Sequence, residues 1–495
     1  MTDENMGFDP SFLAEMEVDK NNTWKGDALE RERLAKPLTG LVSSARNAPF
    51  CIAVDGEWGS GKTFFLKRWC AEFSKQGNKA IYFHAWEDDF HTDPLTAIIG
   101  QLWSELEEGK MKDIGNLLNE NWQDTVKEAT LNLSYSGVKL GDFQSPARKT
   151  LDEYLKGRAG IDILQKQLQE LADATHEKTA RPLVFIVDEL DRCRPTFAIE
   201  LLERVKHIVG VPGIVFIFGI NQKELAKSIQ SVYGEIDTAD YLRKFFDVGM
   251  TLPQAEASKY CLHLINTHKI SDNIRGSKIH RSMYRGGLSS DWSHIIEEGV
   301  PAMAGYMGLS LRQVEQAVRM WLVALRGIEN ADMVRAYQLE GSLAVFVLLR
   351  IKDRDMYEKF FNGDCAVKDI MDCLLHFLPW QEILGGDQYS TRKYWKYCMR
   401  VIAMACYIFY TERERHEVID EFQKASNEAQ MEEPLQKYHY VPQKIVEIQH
   451  DSTWQNLIQI LSESLKYIEG ISPFYSPPSR QTIVRFLEWG DNLRE

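Results

Sequence analysis

The sequence lacks a hydrophobic run long enough to cross a membrane. The nearest approach, 401–410, lies between Arg400 and Glu412, whereas a transmembrane helix needs about 20 apolar residues. The beginning of the chain is acidic and lacks the basic-then-apolar order of a secretory signal peptide. We therefore expect no membrane span, and we interpret residues 1–23 as a polar leader.

The sequence also lacks paired cysteines. Its eight cysteines are scattered and form no Cys-x-x-Cys motif, which argues against a disulfide framework. Cys365, Cys373 and His376 offer three possible metal ligands without a fourth, and we interpret them as buried helix residues. Reduced thiols are typical of the cytosol, so we expect a cytoplasmic protein.

Positive charge is in deficit. The 58 Lys and Arg residues are outnumbered by 72 Asp and Glu residues, which gives a formal net charge of −14. Such a balance argues against nonspecific nucleic-acid binding driven by overall charge, although a local basic patch stays open. The hydrophobic content of 44% is that of an ordinary folded protein, and 495 residues are enough for two to four domains.

A phosphate-binding loop is the clearest motif that is present. The sequence GEWGSGKT at 56–63 follows an apolar segment typical of a strand and precedes a segment with helical spacing of apolar residues. In this setting backbone N–H groups surround a polyphosphate at the start of a helix. The alternative is a chance glycine-rich turn, which the strand and helix context disfavours. The residues expected to contact the nucleotide are Gly56, Glu57, Trp58, Gly59, Ser60, Gly61, Lys62, Thr63 and Phe64.

Further site residues follow two later strands. Lys62 is expected to reach the β- and γ-phosphates and the Thr63 hydroxyl to bind Mg²⁺. The apolar segment 183–187 ends in Asp188, a candidate Mg²⁺ ligand directly or through water, and Glu189, a candidate base for an attacking water. Asn221 follows the next strand, 213–220, and is placed to sense the γ-phosphate.

The order of elements predicts an α/β fold: a P-loop NTPase parallel sheet of five strands with helices on both faces, of the ASCE/AAA+-like kind. A helical lid and an α-helical C-terminal domain are expected to follow. The expected boundaries are 24–253 for the core, with an insertion at about 110–180, then 254–330 for the lid and 331–495 for the C-terminal domain.

Local patterns make three finer predictions. Residues 24–46 are expected to form one helix before the first strand, in which Trp24 to Asp27 either line an adenine pocket or simply pack on the sheet. The alternation of Leu131, Leu133 and Tyr135 suggests a small hairpin that returns through 138–140. A helix over 151–171 is expected to be interrupted at 157–160.

These motifs together resemble the KAP family of P-loop NTPases. The resemblance covers about 24–326. Its segments are the tryptophan-containing loop 54–63, His84-Ala85-Trp86, the Asp-Glu-Leu-Asp-Arg-Cys order that begins at Asp188, Tyr241-Leu242-Arg243-Lys244, and Ser310-Leu311-Arg312. Glu189 stands where an Asp is more usual in the family. Many members also carry transmembrane segments inside the NTPase domain, and here the segment 110–180 is polar.

The resemblance implies a signalling or assembly ATPase that uses ATP and Mg²⁺, and bacterial members are associated with resistance to phage. A preference for adenine over guanine nucleotides agrees with the absence of the guanine-binding Asn-Lys-x-Asp motif from the sequence. We expect a homo-oligomer with protein partners from the same operon that bind the C-terminal helical domain. The alternatives are a small-molecule kinase, which shares the phosphate-binding loop, and a scaffold that binds ATP and hydrolyses it slowly.

Three cations are expected to act on the γ-phosphate. Arg243 and Lys244 precede the final strand of the sheet, where P-loop ATPases commonly present a cation to the neighbouring subunit. Arg312, in the lid, is a candidate to act within its own chain. The alternative for Arg243 and Lys244 is a solvated basic pair beside Asp240 and Asp247.

Overall fold

A computed structural model gives the fold. It describes two compact units, 1–254 and 255–495. The residues described are 18–19, 21–45, 48–91, 93–107, 109, 111–118, 121–135, 151–270, 295–329, 336–362, 364–365, 367–377, 417, 420–421 and 424–425.

The first unit alternates strands and helices. Its strands are β1 (Phe50–Asp55), β2 (Ala80–His84), β3 (Leu183–Asp188), β4 (Ile214–Ile220) and β5 (Val248–Thr251). Its helices are α1 (Glu32–Ser44), α2 (Lys62–Lys75), α3 (Pro94–Glu107), α4 (Lys112–Gly115), α5 (Trp122–Tyr135), α6 (Leu151–Thr179), α7 (Pro195–Arg204), α8 (Gln222–Tyr233) and α9 (Thr238–Arg243). A 3₁₀ turn, Leu190–Arg192, follows β3, and a π-helical turn, Val205–Val209, continues α7.

The five strands form one sheet in the order β2-β3-β4-β1-β5, with every pairing parallel. This confirms the predicted parallel α/β fold. Every residue of β3 and β4 is buried, because helices cover the sheet on both faces. One face carries a core shared by α1 and α2, and the other carries a core shared by α3 to α9.

The lead-in helix is shorter than predicted. α1 begins at Glu32, and the preceding residues form turns in which Gly26 and Glu30 have positive φ angles of 82° and 55°. These backbone angles are incompatible with a continuous right-handed helix. Trp24 packs beside Phe65 of α2, with ring centroids 6.1 Å apart, so its indole is buried against that helix.

The hairpin prediction is wrong at Leu131, Leu133 and Tyr135, which lie in α5, while 138–140 lie outside the described residues. The buried side chains of α5 recur at helical spacing, and α5 packs along α6. They are Trp122, Val126, Ala129 and Leu133. Leu131 is exposed, so the alternation of leucines did not mark a buried strand face.

The predicted break at 157–160 is also wrong, because α6 is continuous through it. A glycine inside a helix costs about 1 kcal/mol relative to alanine, and packing can offset that cost. A Cβ at Gly160 would lie 3.5 Å from the carbonyl oxygen of Ala129, so the glycine lies directly against α5.

In the second unit, the described residues form helices and loops. The helices are α10 (Ala257–Thr267), α11 (Val300–Tyr306), α12 (Leu311–Glu329), α13 (Ala336–Lys352), α14 (Arg354–Asn362) and α15 (Val367–His376), with a π-helical turn, Ile295–Gly299, before α11. No helix within the described residues of either unit is both long and apolar enough to cross a bilayer.

Candidate functional site

The polar residues that follow three strands share one edge of the sheet. In the strand register His84 lies beside Asp188, Asp188 beside Gly219, and Asp55 beside Ile220. Since parallel strands end at the same edge, the loop after β1 and the residues after β3 and β4 are neighbours. The first unit therefore brings the predicted phosphate, metal and water-activating residues to one location.

The loop between β1 and α2 has the backbone that the motif predicts. Gly59 and Gly61 have φ angles of 76° and 90°, which favour glycine. Gly56 has no such angle, but a Cβ there would lie 2.7 Å from the Ser60 side-chain oxygen. Glycine is therefore favoured at this position because a larger residue would not fit. α2 begins directly after Gly61 and directs its unpaired N–H groups and its positive dipole end toward the loop.

Glu57 and Phe64, both expected to contact the nucleotide, have side-chain partners in the first unit. Glu57 is exposed and pairs with Lys223 of α8, with 3.0 Å between Nζ and Oε1. Phe64 lies in the first turn of α2, and the Arg68 guanidinium carbon is 3.6 Å from its ring centroid. Glu57 thus connects the loop to α8, whereas the contact of Phe64 lies within α2.

Lys62 is buried inside the loop. Its Nζ donates hydrogen bonds to the carbonyl oxygens of Gly56 at 2.5 Å and Glu57 at 3.2 Å. Burial lowers the pKa of Lys62, and the nearby carboxylates of Asp191 and Asp188 oppose that shift. The ammonium group therefore lies between the loop and the carboxylates that follow β3.

Asp188 fits a divalent cation. Its side chain is fully buried, and its oxygens accept hydrogen bonds from the Tyr82 hydroxyl at 2.6 Å and the Glu189 N–H at 2.9 Å. The Lys62 ammonium group is a nearby positive charge, and burial of a carboxylate is costly unless cations compensate it. Oxygen ligands of this kind, with the hydroxyl of the half-buried Thr63, suit Mg²⁺.

Gly219 of β4 has no side chain, so the Asp188 carboxylate of β3 and the Leu66 side chain of α2 can both lie close to its backbone. A Cβ at this position would lie 2.3 Å from the Oδ1 atom of Asp188 and 2.5 Å from the Cδ1 atom of Leu66. Both distances are shorter than any real Cβ contact. The carboxylate of Asp188 thus lies close to the helix that begins at the phosphate-binding loop.

Glu189 is held by two side chains that the sequence analysis did not assign to the site. Its Oε2 lies 3.3 Å from Nε2 of His84, and its Oε1 lies 2.9 Å from Nη2 of Arg192. Its φ angle of 59° is unusual for a residue other than glycine. The sequence signal for His84 was its position as a polar residue at the end of β2. Arg192 also lies over the ring of Trp86.

Asn221 is buried directly after β4. Its side-chain oxygen accepts hydrogen bonds from the N–H groups of Lys223 at 3.2 Å and Glu224 at 3.4 Å, so it caps α8. The amide nitrogen of the same side chain carries two further N–H donors. This geometry leaves the sensing role of Asn221 a prediction.

Arg243 and Lys244 are not brought to the edge that holds the phosphate-binding loop. Both are exposed and lie at the end of α9, just before β5 begins, and Arg243 pairs with Asp240 at 2.5 Å. Asp247, three residues after Lys244, accepts a hydrogen bond from the N–H of Cys51, at the beginning of β1. The pair therefore lies at the amino edge of the sheet. Arg312 belongs to the second unit and is exposed in the first turn of α12.

Arg31 makes structural contacts that no sequence motif predicted. It is 3% exposed, and its Nη2 donates hydrogen bonds to the carbonyl oxygens of Ser60 at 3.1 Å and Pro253 at 2.9 Å. Arg31 thus connects the phosphate-binding loop to Pro253, just after the end of β5. A lone arginine before an amphipathic helix offers no signal for this role in a single sequence.

The comparison with protein families agrees with the motifs. The model of the KAP family P-loop domain matches residues 31–283. No curated protein gives a significant match. Two solved structures of the Aeropyrum pernix ORC2 protein, one described as ADPNP-ADP complexes and one as an ADP form, are 14% and 13% identical to this chain.

The matches to the two ORC2 structures are long but loose. They cover 92% and 93% of this chain and 99% and 98% of the ORC2 chains, with TM-scores of 0.35 and 0.34. Scores this low carry no argument about this chain. The family match spans more than half of the chain and includes the whole candidate site of the first unit.

Proposed function

Since the chain belongs to the KAP family of P-loop NTPases, we propose that it binds ATP with Mg²⁺ and hydrolyses it in the cytoplasm. Hydrolysis switches the conformation of an assembly and does not modify a small-molecule substrate. The observation that carries the proposal is the arrangement of Asp188 and Glu189 at the end of β3. The Asp188 carboxylate is buried near Lys62, and the adjacent Glu189 supplies a second carboxylate that is suited to activating water.

The roles of the residues follow from their positions. Backbone N–H groups of the loop and of the first turn of α2 bind the phosphates, and Lys62 exchanges its two carbonyl partners for phosphate oxygens. Asp188 and Thr63 hold Mg²⁺, which neutralises phosphate charge when it is bound. Glu189 accepts the proton of the attacking water, and Asn221 reports the γ-phosphate to α8, whose first turn it caps.

Release of phosphate from ATP without any added acceptor tests this function. We expect wild-type protein to release phosphate and Lys62→Ala to lose both nucleotide binding and release, because the loop then lacks its ammonium group. Lys75→Ala, which removes an exposed lysine from the end of the same helix, is the matched control and should behave as wild type. Phosphate release and calorimetric binding measure the two effects.

The rival functions give different results in the same assay. A small-molecule kinase would consume ATP only after an acceptor is supplied. A scaffold would bind ATP tightly and release almost no phosphate. Either result would overturn the ATPase proposal, and preference for GTP would overturn the choice of adenine.

The proposed biological role is antiviral defence together with partner proteins. It is supported by the association of bacterial KAP members with phage resistance, and the partners are proposed to bind the C-terminal helical domain. We expect cells that carry the gene with its genomic neighbours to show fewer plaques than cells that carry Lys62→Ala. Equal plaque counts for the two would contradict this role, while similar protein levels on a blot would exclude poor expression as the cause.

A further inference from the structure

Asp191 is a buried carboxylate to which the proposed reaction assigns no role. It lies in the 3₁₀ turn after β3 and is 6% exposed. Its Oδ2 accepts a 2.5 Å hydrogen bond from the indole nitrogen of Trp58, which belongs to the phosphate-binding loop. The ring of Trp58 is itself about half exposed, so its indole N–H connects a surface side chain to a buried acid.

The second oxygen of Asp191 has no hydrogen-bond partner among the described residues. Its Oδ1 is buried and accepts no hydrogen bond from any residue that the structure describes. A buried carboxylate oxygen without a hydrogen-bond donor is unfavourable. The hydrogen bond from Trp58 therefore satisfies one oxygen of this acid and leaves Oδ1 available as an acceptor for a ligand or a water molecule.

The surroundings identify the kind of ligand. Asp191 opposes the lowered pKa of Lys62 more strongly than Asp188 does, because its negative charge lies close to the lysine ammonium group. Asp188, the candidate metal ligand, lies three residues earlier in the chain. The ligand of Asp191 is therefore expected in the space where the phosphates and Mg²⁺ are proposed to bind.

We propose that Asp191 is a positioning residue for the magnesium–nucleotide complex. Its Oδ2 fixes the phosphate-binding loop through Trp58, and its Oδ1 accepts a hydrogen bond from a water molecule bound to Mg²⁺. Magnesium in nucleotide sites usually keeps several water ligands, which gives such an acceptor a defined role. This inference rests on the proposed ATP site.

The test is the affinity of the full-length chain for the non-hydrolysable nucleotide ADPNP, measured by calorimetry with Mg²⁺ and again with EDTA. Asp191→Asn keeps an oxygen that can accept from Trp58 but removes the charge. We expect it to weaken Mg²⁺-dependent binding by about 10–100-fold, the usual loss when a residue supporting metal ligands is changed, and to change binding in EDTA much less.

Trp58→Phe separates the two functions of Asp191. It removes the indole donor and leaves the carboxylate, so we expect ADPNP to bind more weakly by the same factor with Mg²⁺ and with EDTA. Asp162→Asn, at an exposed position of α6, is the matched charge control and should behave as wild type. Thermal unfolding with and without nucleotide verifies that each variant is folded.

The inference is overturned if Asp191→Asn keeps the wild-type ratio of affinities with and without Mg²⁺. It is also overturned if Trp58→Phe binds as wild type in both conditions. If Asp191→Asn does not fold, Asp191→Glu keeps the charge but displaces the carboxylate, and an unchanged ratio there also overturns it. Failure of the wild-type chain to bind ADPNP would contradict the proposed function instead.

Discussion

Glu189→Gln is expected to lower phosphate release from ATP by about 10²–10⁴-fold, the usual contribution of a positioned general base. Glutamine has the size of glutamate but cannot accept the proton of the attacking water. Nucleotide affinity should stay near that of the wild type, because the Glu189 carboxylate pairs with His84 and Arg192 and is assigned no contact with the phosphates. Single-turnover phosphate release and calorimetry measure the two quantities separately.

The control for Glu189→Gln is Glu87→Gln. Glu87 also faces His84, with 3.7 Å between Oε1 and Nδ1, but it is mostly exposed and follows β2. The same carboxylate-to-amide change there should leave phosphate release unchanged. Turnover that is indifferent to Glu189→Gln would eliminate Glu189 as the base and favour the slowly hydrolysing scaffold.

The second large effect is expected at Arg243 and Lys244. An Arg243→Ala/Lys244→Ala double variant should lose about 10³-fold or more in turnover if a neighbouring subunit supplies these cations. The structure places both residues at the amino edge of the sheet, away from the phosphate-binding loop of the same unit. Exposed ion pairs contribute little to stability, so the contact with Asp240 leaves Arg243 able to move to a phosphate.

A mixing experiment distinguishes action between subunits from a structural effect. Lys62→Ala protein offers the cations but no functional phosphate site, and the double variant offers the reverse. In a head-to-tail assembly about one quarter of the sites in an equal mixture regain both parts, so turnover should recover although each protein alone is inactive. Specific activity should also rise with protein concentration, because assembly is favoured at higher concentration.

Lys227→Ala is the control for charge, since Lys227 is an exposed cation of α8 that pairs with Glu224. It should match the wild type alone and in mixtures. Turnover that is independent of protein concentration, and unchanged in the double variant, would contradict the assembly proposal. That result would leave Arg243 and Lys244 as a solvated basic pair.

The phosphate-binding loop and the parallel sheet could be predicted from the sequence because both depend on short-range patterns. A glycine-rich loop between a strand and a helix needs particular residues at fixed spacing. Continuous apolar segments such as 183–187 are typical of strands covered on both faces, and the alternation with helices makes their sheet parallel. The order β2-β3-β4-β1-β5 then brings Asp188 and Asn221 near the loop.

Long-range packing decided what the sequence alone left open or predicted wrongly. Burial against α6 selects a helix for the segment that ends at Tyr135, where the sequence offers both an alternation of leucines and an apolar stripe at helical spacing. Similarly, packing against Ala129 keeps Gly160 inside a continuous helix.

The contacts within the site are also tertiary. His84 meets Glu189, and Trp58 meets Asp191, only after β1, β2 and β3 are assembled in one sheet, whereas the pairing of Arg192 with Glu189 is local to the turn after β3. Sequence reasoning identifies groups by type and spacing, whereas hydrogen bonds form between side chains whose distances depend on the whole fold. The chemistry available at the site was therefore predictable from the chain, and the partners that hold each group in place were determined by its tertiary structure.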